Sequence, residues 1–104
     1  MTMPDSLVSI IITTRNSAST LVELLESIKL QSYKKKEMVI VDNKSSDTTK
    51  EIAQKYTRKM YDKGPERSSQ RNFGASRARG KYLLFLDSDM VLTKDVLKQC
   101  VGKA

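Results

Sequence analysis

Two aspartates, Asp87 and Asp89, stand one residue apart at the end of an apolar run in KYLLFLDSDMVL, residues 81–92. Residues i and i+2 of an extended segment point to the same side, so both carboxylates can reach one hard divalent cation through oxygen. Left without a cation, two close carboxylates repel and one tends to hold a proton. The same spacing also suits a strand end followed by a turn, and alone it does not separate the two readings. What separates them is where the rest of the chain puts that pair.

The residues before the pair, Tyr82, Leu83, Leu84, Phe85 and Leu86, read as a strand buried on both faces, as in a parallel sheet. The acids then lie at its carboxyl end, where open α/β sheets bind ligands. Two earlier segments end in the same way. Residues 7–12 (LVSIII) are β-rich and run into TTRNSAS, and residues 38–41 run into Asp42, Asn43, Lys44, Ser45, Ser46 and Asp47.

Between them a helix is expected from Thr20. Thr20 and Glu23 have capping-box spacing, and Leu21, Leu24, Leu25 and Ile28 repeat at i, i+3, i+4 and i+7. It fades over residues 31–33 into Lys34, Lys35 and Lys36, which read as solvated charge near the helix's negative end. Thr48 and Glu51 repeat the capping-box spacing, with Ile52, Ala53 and Tyr56 toward the sheet. A weak third strand is expected over 58–61, and Gly64-Pro65 makes a break. A short helix follows, opened by Ser68 or Ser69 and closed by Gly80, with Phe73, Ala75 and Ala78 as its apolar content. Thr93 then caps a last helix bearing Val96, Leu97, Cys100 and Val101. This β-α-β-α-β-α-β-α order calls for an α/β fold: a mainly parallel sheet of about four strands with helices on both faces. The polar strand ends at 13–16, 42–47 and 87–89 then converge on one rim.

At 104 residues the chain is expected to form one domain. It carries 19 Lys and Arg against 12 acids, a net charge of +7, which suits an anionic partner. Nine of the cations and only two acids fall between Lys55 and Lys81. That basic stretch has no aromatic interleaving beyond Phe73 and no nucleic-acid module, so nucleic acid is not the expected partner. Without histidine no Ser-His-Asp or Cys-His constellation can form, and one cysteine allows neither an internal disulfide nor a structural zinc site. Neither Gly-x-Gly-x-x-Gly nor Gly-Lys-Ser/Thr occurs, which argues against a dinucleotide cofactor and a P-loop ATPase. No apolar run approaches the roughly 20 residues of a membrane span, and MTMPDS lacks a signal-like pattern, so the expected location is cytoplasmic.

An acid such as Asp42 at a strand end can accept hydrogen bonds from a base edge or a ribose hydroxyl. The first loop, opening toward a helix N-terminus, can approach a base or phosphates. A cation on Asp87 and Asp89 neutralises a diphosphate, and Arg71 can clamp it. Together these describe a pocket for a nucleoside diphosphate with metal.

The segment IIITTRNSASTLVELLESIKLQSYKKKEMVIVDNKSSDTT resembles the opening half of glycosyltransferase family 2, of the GT-A type. GPERSSQRNFGASRARGKYLLFLDSDM resembles the same family's Arg-Asn-x-Gly segment and its Asp-x-Asp strand. The resemblance runs over residues 6–94 and implies the Rossmann-like half of a GT-A fold. It further implies that Thr13 and Thr14 border the base, that Asp42 contacts base or ribose, and that Arg71 lies near the diphosphate. Asp87 and Asp89 are implied to hold the ribose and a Mg²⁺ or Mn²⁺ on the diphosphate. The implied substrate is a nucleotide-diphosphate sugar, a UDP-sugar first and guanosine next, with inverting transfer to the hydroxyl of an unspecified acceptor.

Arg15 stands where the family usually has an aromatic residue, and Asn43 where it often has a second Asp. Only 15 residues follow Asp89, whereas the family's acceptor half and its base carboxylate follow that strand. Residues 1–104 are therefore expected to be a single nucleotide-sugar-binding domain, truncated relative to a complete glycosyltransferase. The alternative is a catalytically incomplete module that binds nucleotide or pairs with a partner chain or a second copy at an open sheet edge. By its basic surface, the cytoplasmic face of a membrane is the other location left open.

Overall fold

The computed structural model describes residues 6–103. Its elements are β1 (Val8–Thr14), α1 (Ala18–Lys29), β2 (Lys36–Asp42), α2 (Thr49–Gln54), β3 (Met60–Asp62), α3 (Arg67–Arg77), β4 (Tyr82–Asp87) and α4 (Val96–Lys103). The strands form one sheet in the order β3-β2-β1-β4, and every pairing is parallel. The expected α/β architecture of four strands is therefore present.

Alternation along β1 divides the core. Val8, Ile10 and Ile12 join Leu21, Leu24, Leu25 and Ile28 of α1, Ile40, Ala53, and Leu97 and Val101 of α4 on one face. On the other, Ile11, Val39 and Val41 lie with Phe73 and Ala75 of α3 and with Tyr61 and Ala78. Helices thus lie on both faces, and burial of these aliphatic side chains is the main force holding the layers together. Cys100 lies in α4, as the sequence pattern placed it.

Several boundaries differ from the pattern. The first strand runs on through Thr13 and Thr14, because β4 continues its ladder to Thr13 and β2 continues it to Thr14. Helix α1 starts at Ala18, so Thr20 is in its first turn rather than at its cap. The Thr20 hydroxyl donates instead to the Ser88 carbonyl at 2.9 Å. Thr48 does sit at the cap position of α2, but its side chain makes no capping hydrogen bond. Helix α3 opens after Glu66, in extended conformation, ahead of Ser68 and Ser69, and it ends at Arg77, three residues before Gly80.

Strand β4 departs furthest from the pattern. Tyr82, Leu84 and Leu86 face the larger core, but Leu83 and Phe85 are 43% and 42% exposed. Strand β4 is an edge of the sheet, and α3 packs over β1 and β2 rather than over it. One face of the strand expected to be buried on both sides is therefore open.

Candidate functional site

In a parallel sheet all carboxyl ends share a rim, and here the register puts chemistry-bearing residues side by side. Thr14 pairs with Asp42 across β1 and β2, and Thr13 pairs with Asp87 across β1 and β4. A cleft of about 250 Å³ opens at this rim. Its walls come from Thr13, Thr14, Arg15 and Ser17 on one side, Arg67 and Gln70 of α3 on another, and Asp87, Ser88 and Asp89 on the third.

The loop between β1 and α1 is tied down by its neighbours. Asn16 takes a left-handed φ of 47°. Its N–H donates to the Ser45 hydroxyl at 2.8 Å, and its side-chain oxygen accepts the Ser46 N–H at 2.8 Å. Ser17 donates its N–H to the Thr49 hydroxyl at 2.7 Å. The two hydroxyls of Ser17 and Ser88 share a hydrogen bond of 2.7 Å, and with the Thr20 bond to the Ser88 carbonyl this ties the Asp-Ser-Asp turn to the start of α1. The Ser88 side chain thus works inward while Asp89 is exposed, with no ion pair or hydrogen bond among the described residues.

Besides Arg15 of the first loop, helix α3 supplies two cations. Arg67 and Arg71 are one turn apart, with Nη1 and Nη2 at 3.8 and 3.5 Å from Asp87 Oδ1. These separations exceed hydrogen-bond length, so the guanidinium groups neighbour Asp87 without being locked onto it. Between them Gln70 is buried, donating from Nε2 to the Thr14 carbonyl at 3.2 Å and the Val41 carbonyl at 2.8 Å. It pins the helix to the ends of β1 and β2.

Of the residues the sequence singled out, the structure brings Thr13, Thr14, Asp87 and Asp89 onto the cleft wall. Arg71 stands next to them through Asp87. Asp42 lies behind the wall: it has no exposure, and its Oδ1 accepts the Thr14 hydroxyl at 2.6 Å and the Ser45 hydroxyl at 2.5 Å. Its Oδ2 accepts the Ser45 N–H at 2.8 Å. The sequence pattern does not single out Arg67, Gln70, Ser17 or Ser88. Arg67 was findable as the i−4 neighbour of Arg71 on one helix face; nothing in a polar helix marked Gln70 as buried.

Among the described residues no three acidic, His or Cys side chains cluster as a metal cage. The donor set is two hard carboxylates on an open cleft, which fits Mg²⁺ or Mn²⁺ sharing its coordination with substrate oxygens and water. Carboxylates and guanidinium groups around one small cleft suit a diphosphate, held by arginine on one side and by a carboxylate-bound cation on the other.

A family model described as "Glycosyl transferase family 2" matches residues 9–104. A curated relative, the poly(ribitol-phosphate) beta-N-acetylglucosaminyltransferase TarS of Staphylococcus aureus strain Mu50, is 37% identical over 105 residues, covering 90% of this chain and 18% of TarS. The crystal structure of S. aureus TarS 1-349 superposes with a TM-score of 0.84 at 31% identity, over 91% of this chain and 31% of that one. The same TarS segment in complex with UDP-GlcNAc gives 0.79 at 32% identity, over 91% and 30%. The chain thus spans less than a third of these relatives.

Proposed function

The chain belongs to glycosyltransferase family 2 and carries the Rossmann-like α/β part of the GT-A fold, and from that premise we propose that its carboxyl rim binds a nucleotide-diphosphate sugar with a divalent cation. A UDP-sugar is the favoured donor, in keeping with the UDP-GlcNAc held by the TarS structure. The reaction served is inverting transfer to an acceptor hydroxyl. The observation that carries this reading is the grouping of Thr13, Thr14, Arg67, Asp87 and Asp89 around one cleft, with Arg71 beside Asp87.

In this reading Thr13 and Thr14 border the base, and Asp42, buried behind the wall, acts on the nucleoside only through the Thr14 hydroxyl that it orients. Arg71 and Arg67 approach the diphosphate. Asp87 and Asp89 hold Mg²⁺ or Mn²⁺, which when bound supplies positive charge to the diphosphate as it leaves. Deprotonation of the acceptor needs a carboxylate placed on the acceptor side. Asp95 does not fill that role: it accepts the Ser32 hydroxyl at 2.6 Å and does not line the cleft.

A second reading, a module that pairs with another chain and completes its site there, is favoured by one observation. Among the described residues strand β4 has a partner only on its β1 side, and its Leu83 and Phe85 are exposed. Among the described residues no helix is long and apolar enough to cross a membrane.

Calorimetric titration with UDP and GDP, each with and without Mn²⁺, tests the donor site. Binding of UDP that requires Mn²⁺ and disappears in Asp89→Ala is expected. A folded chain that binds neither nucleotide overturns the proposal. Sugar transfer by the isolated chain would reject the second reading.

A further inference from the structure

The amino ends of the parallel strands share the rim opposite the cleft, where α1 and α2 also finish. A groove of about 460 Å³ lies there, walled by Lys29, Lys34, Lys36, Arg58 and Lys59 over an apolar floor that includes Met38 and Tyr56. A hollow of about 410 Å³ shares Lys29, Met38 and Tyr56 with it and adds Lys55 and Glu26. Five cations therefore face one acid, Glu37, in the groove itself.

That acid is already taken. Glu37 receives Lys59 Nζ at 2.6 Å, the Ser9 hydroxyl at 2.5 Å and the Arg79 N–H at 2.7 Å. Glu26 in the adjoining hollow holds the Tyr56 hydroxyl. Lys29, Lys34, Lys36 and Arg58 have no ion pair among the described residues, although Lys36 Nζ donates to the Tyr33 carbonyl at 3.3 Å. Burial, and after it the neighbouring Lys34 charge, pull the Lys36 ammonium below its ordinary pKa. The carboxyl ends of α1 and α2 each present about half a negative charge, enough to offset Lys29 and Lys55 in part but not the rest.

We infer that this groove is a second anion site, taking a phosphate group on Lys34, Lys36 and Arg58 while Met38 and Tyr56 receive the apolar or ring portion that carries it. Arginine offers the two parallel donors that match a phosphate edge, and the lysines add point charge. The site lies at the opposite rim from the cleft, so it stands or falls independently of the donor reading.

The test titrates the chain with inorganic phosphate at constant ionic strength, reading backbone amide shifts, beside a Lys34→Glu/Arg58→Glu variant. Both side chains are exposed, so the fold is expected to survive, as far-UV circular dichroism will check. Saturable shifts confined to residues 34–38 and 56–59 are expected, with Kd raised by about tenfold or more in the variant. The single Lys34→Gln variant, expected to weaken binding by about threefold or more, serves if the double variant misfolds. In a parallel arm the chain is floated with phosphatidylcholine vesicles with and without phosphatidylglycerol. Localised binding of free phosphate assigns a soluble phosphate ligand; flotation only with phosphatidylglycerol, lost in the variant, assigns a lipid headgroup. Shifts spread over the whole basic surface, or binding equal in variant and parent, overturn the inference.

Discussion

At Asp42 a carboxylate sits with no exposure to water, and hydrogen bonds are what make its burial tolerable. Three donors from Thr14 and Ser45 converge on its two oxygens. Asp42→Asn puts an amide donor among groups that themselves donate, so it is expected to cost about 1–3 kcal/mol in urea denaturation and to release the Thr14 hydroxyl beside the cleft. A variant as stable as the parent would mean that this network does not hold the rim together. Glu37 gives a pH prediction. Burial works to raise its pKa, but the hydrogen bonds from Lys59, Ser9 and the Arg79 N–H together win and hold it below the ordinary 4.5. A carboxylate depressed on folding adds stability that is complete above its unfolded value and is lost as pH falls through its folded one. Unfolding free energy is therefore expected to drop as pH falls from about 4.5, the unfolded value, through the lower folded one. Glu37→Gln should flatten that part of the profile while lowering stability near neutrality.

Helix α3 reaches the sheet by having almost nothing in the way. A Cβ added at Gly74 meets Ile11 Cγ2 at 2.5 Å and Val41 Cγ2 at 3.2 Å, so α3 packs at its present distance only with glycine there. Gly74→Ala gains helix propensity of about 1 kcal/mol, but overpacking against two buried side chains of the sheet typically costs about 1–3 kcal/mol. The net expectation is a lower denaturation midpoint and weaker nucleotide binding, because Arg67, Gln70 and Arg71 move with the helix; unchanged UDP affinity would show that α3 does not position the cleft. The burial of this helix is not legible in its sequence, in contrast to that of α1. Helix α1 was legible because Leu21, Leu24, Leu25 and Ile28 keep helical spacing, and all four are buried. In α3 the buried residues are Gln70 and Gly74, which no hydrophobic period reveals. The rim residues Thr13, Thr14, Asp87 and Asp89 were legible as polar ends of apolar runs, since parallel strands must bring such ends together. The openness of β4 was not, because an apolar run reads the same whether the strand is central or lateral.

At the scale of the whole molecule, two long-range features oppose each other. Among the described residues the β4 edge has no strand partner and presents exposed Leu83 and Phe85, a surface suited to adding another strand. The net charge of +7 repels a second copy. Repulsion between solvated charges is screened within about 8 Å at physiological ionic strength, whereas burial of apolar side chains is not weakened by salt. Self-association through this edge should therefore strengthen as salt rises, the reverse of association driven by opposite charges. Sedimentation velocity over a series of protein and salt concentrations is expected to show that trend, and Leu83→Lys/Phe85→Lys should abolish it while changing unfolding free energy by no more than about 1 kcal/mol, since neither side chain is in the closed core. A monodisperse monomer throughout would remove pairing between copies and leave the edge to a different chain. Association that weakens with salt would place the contact on the basic surface instead.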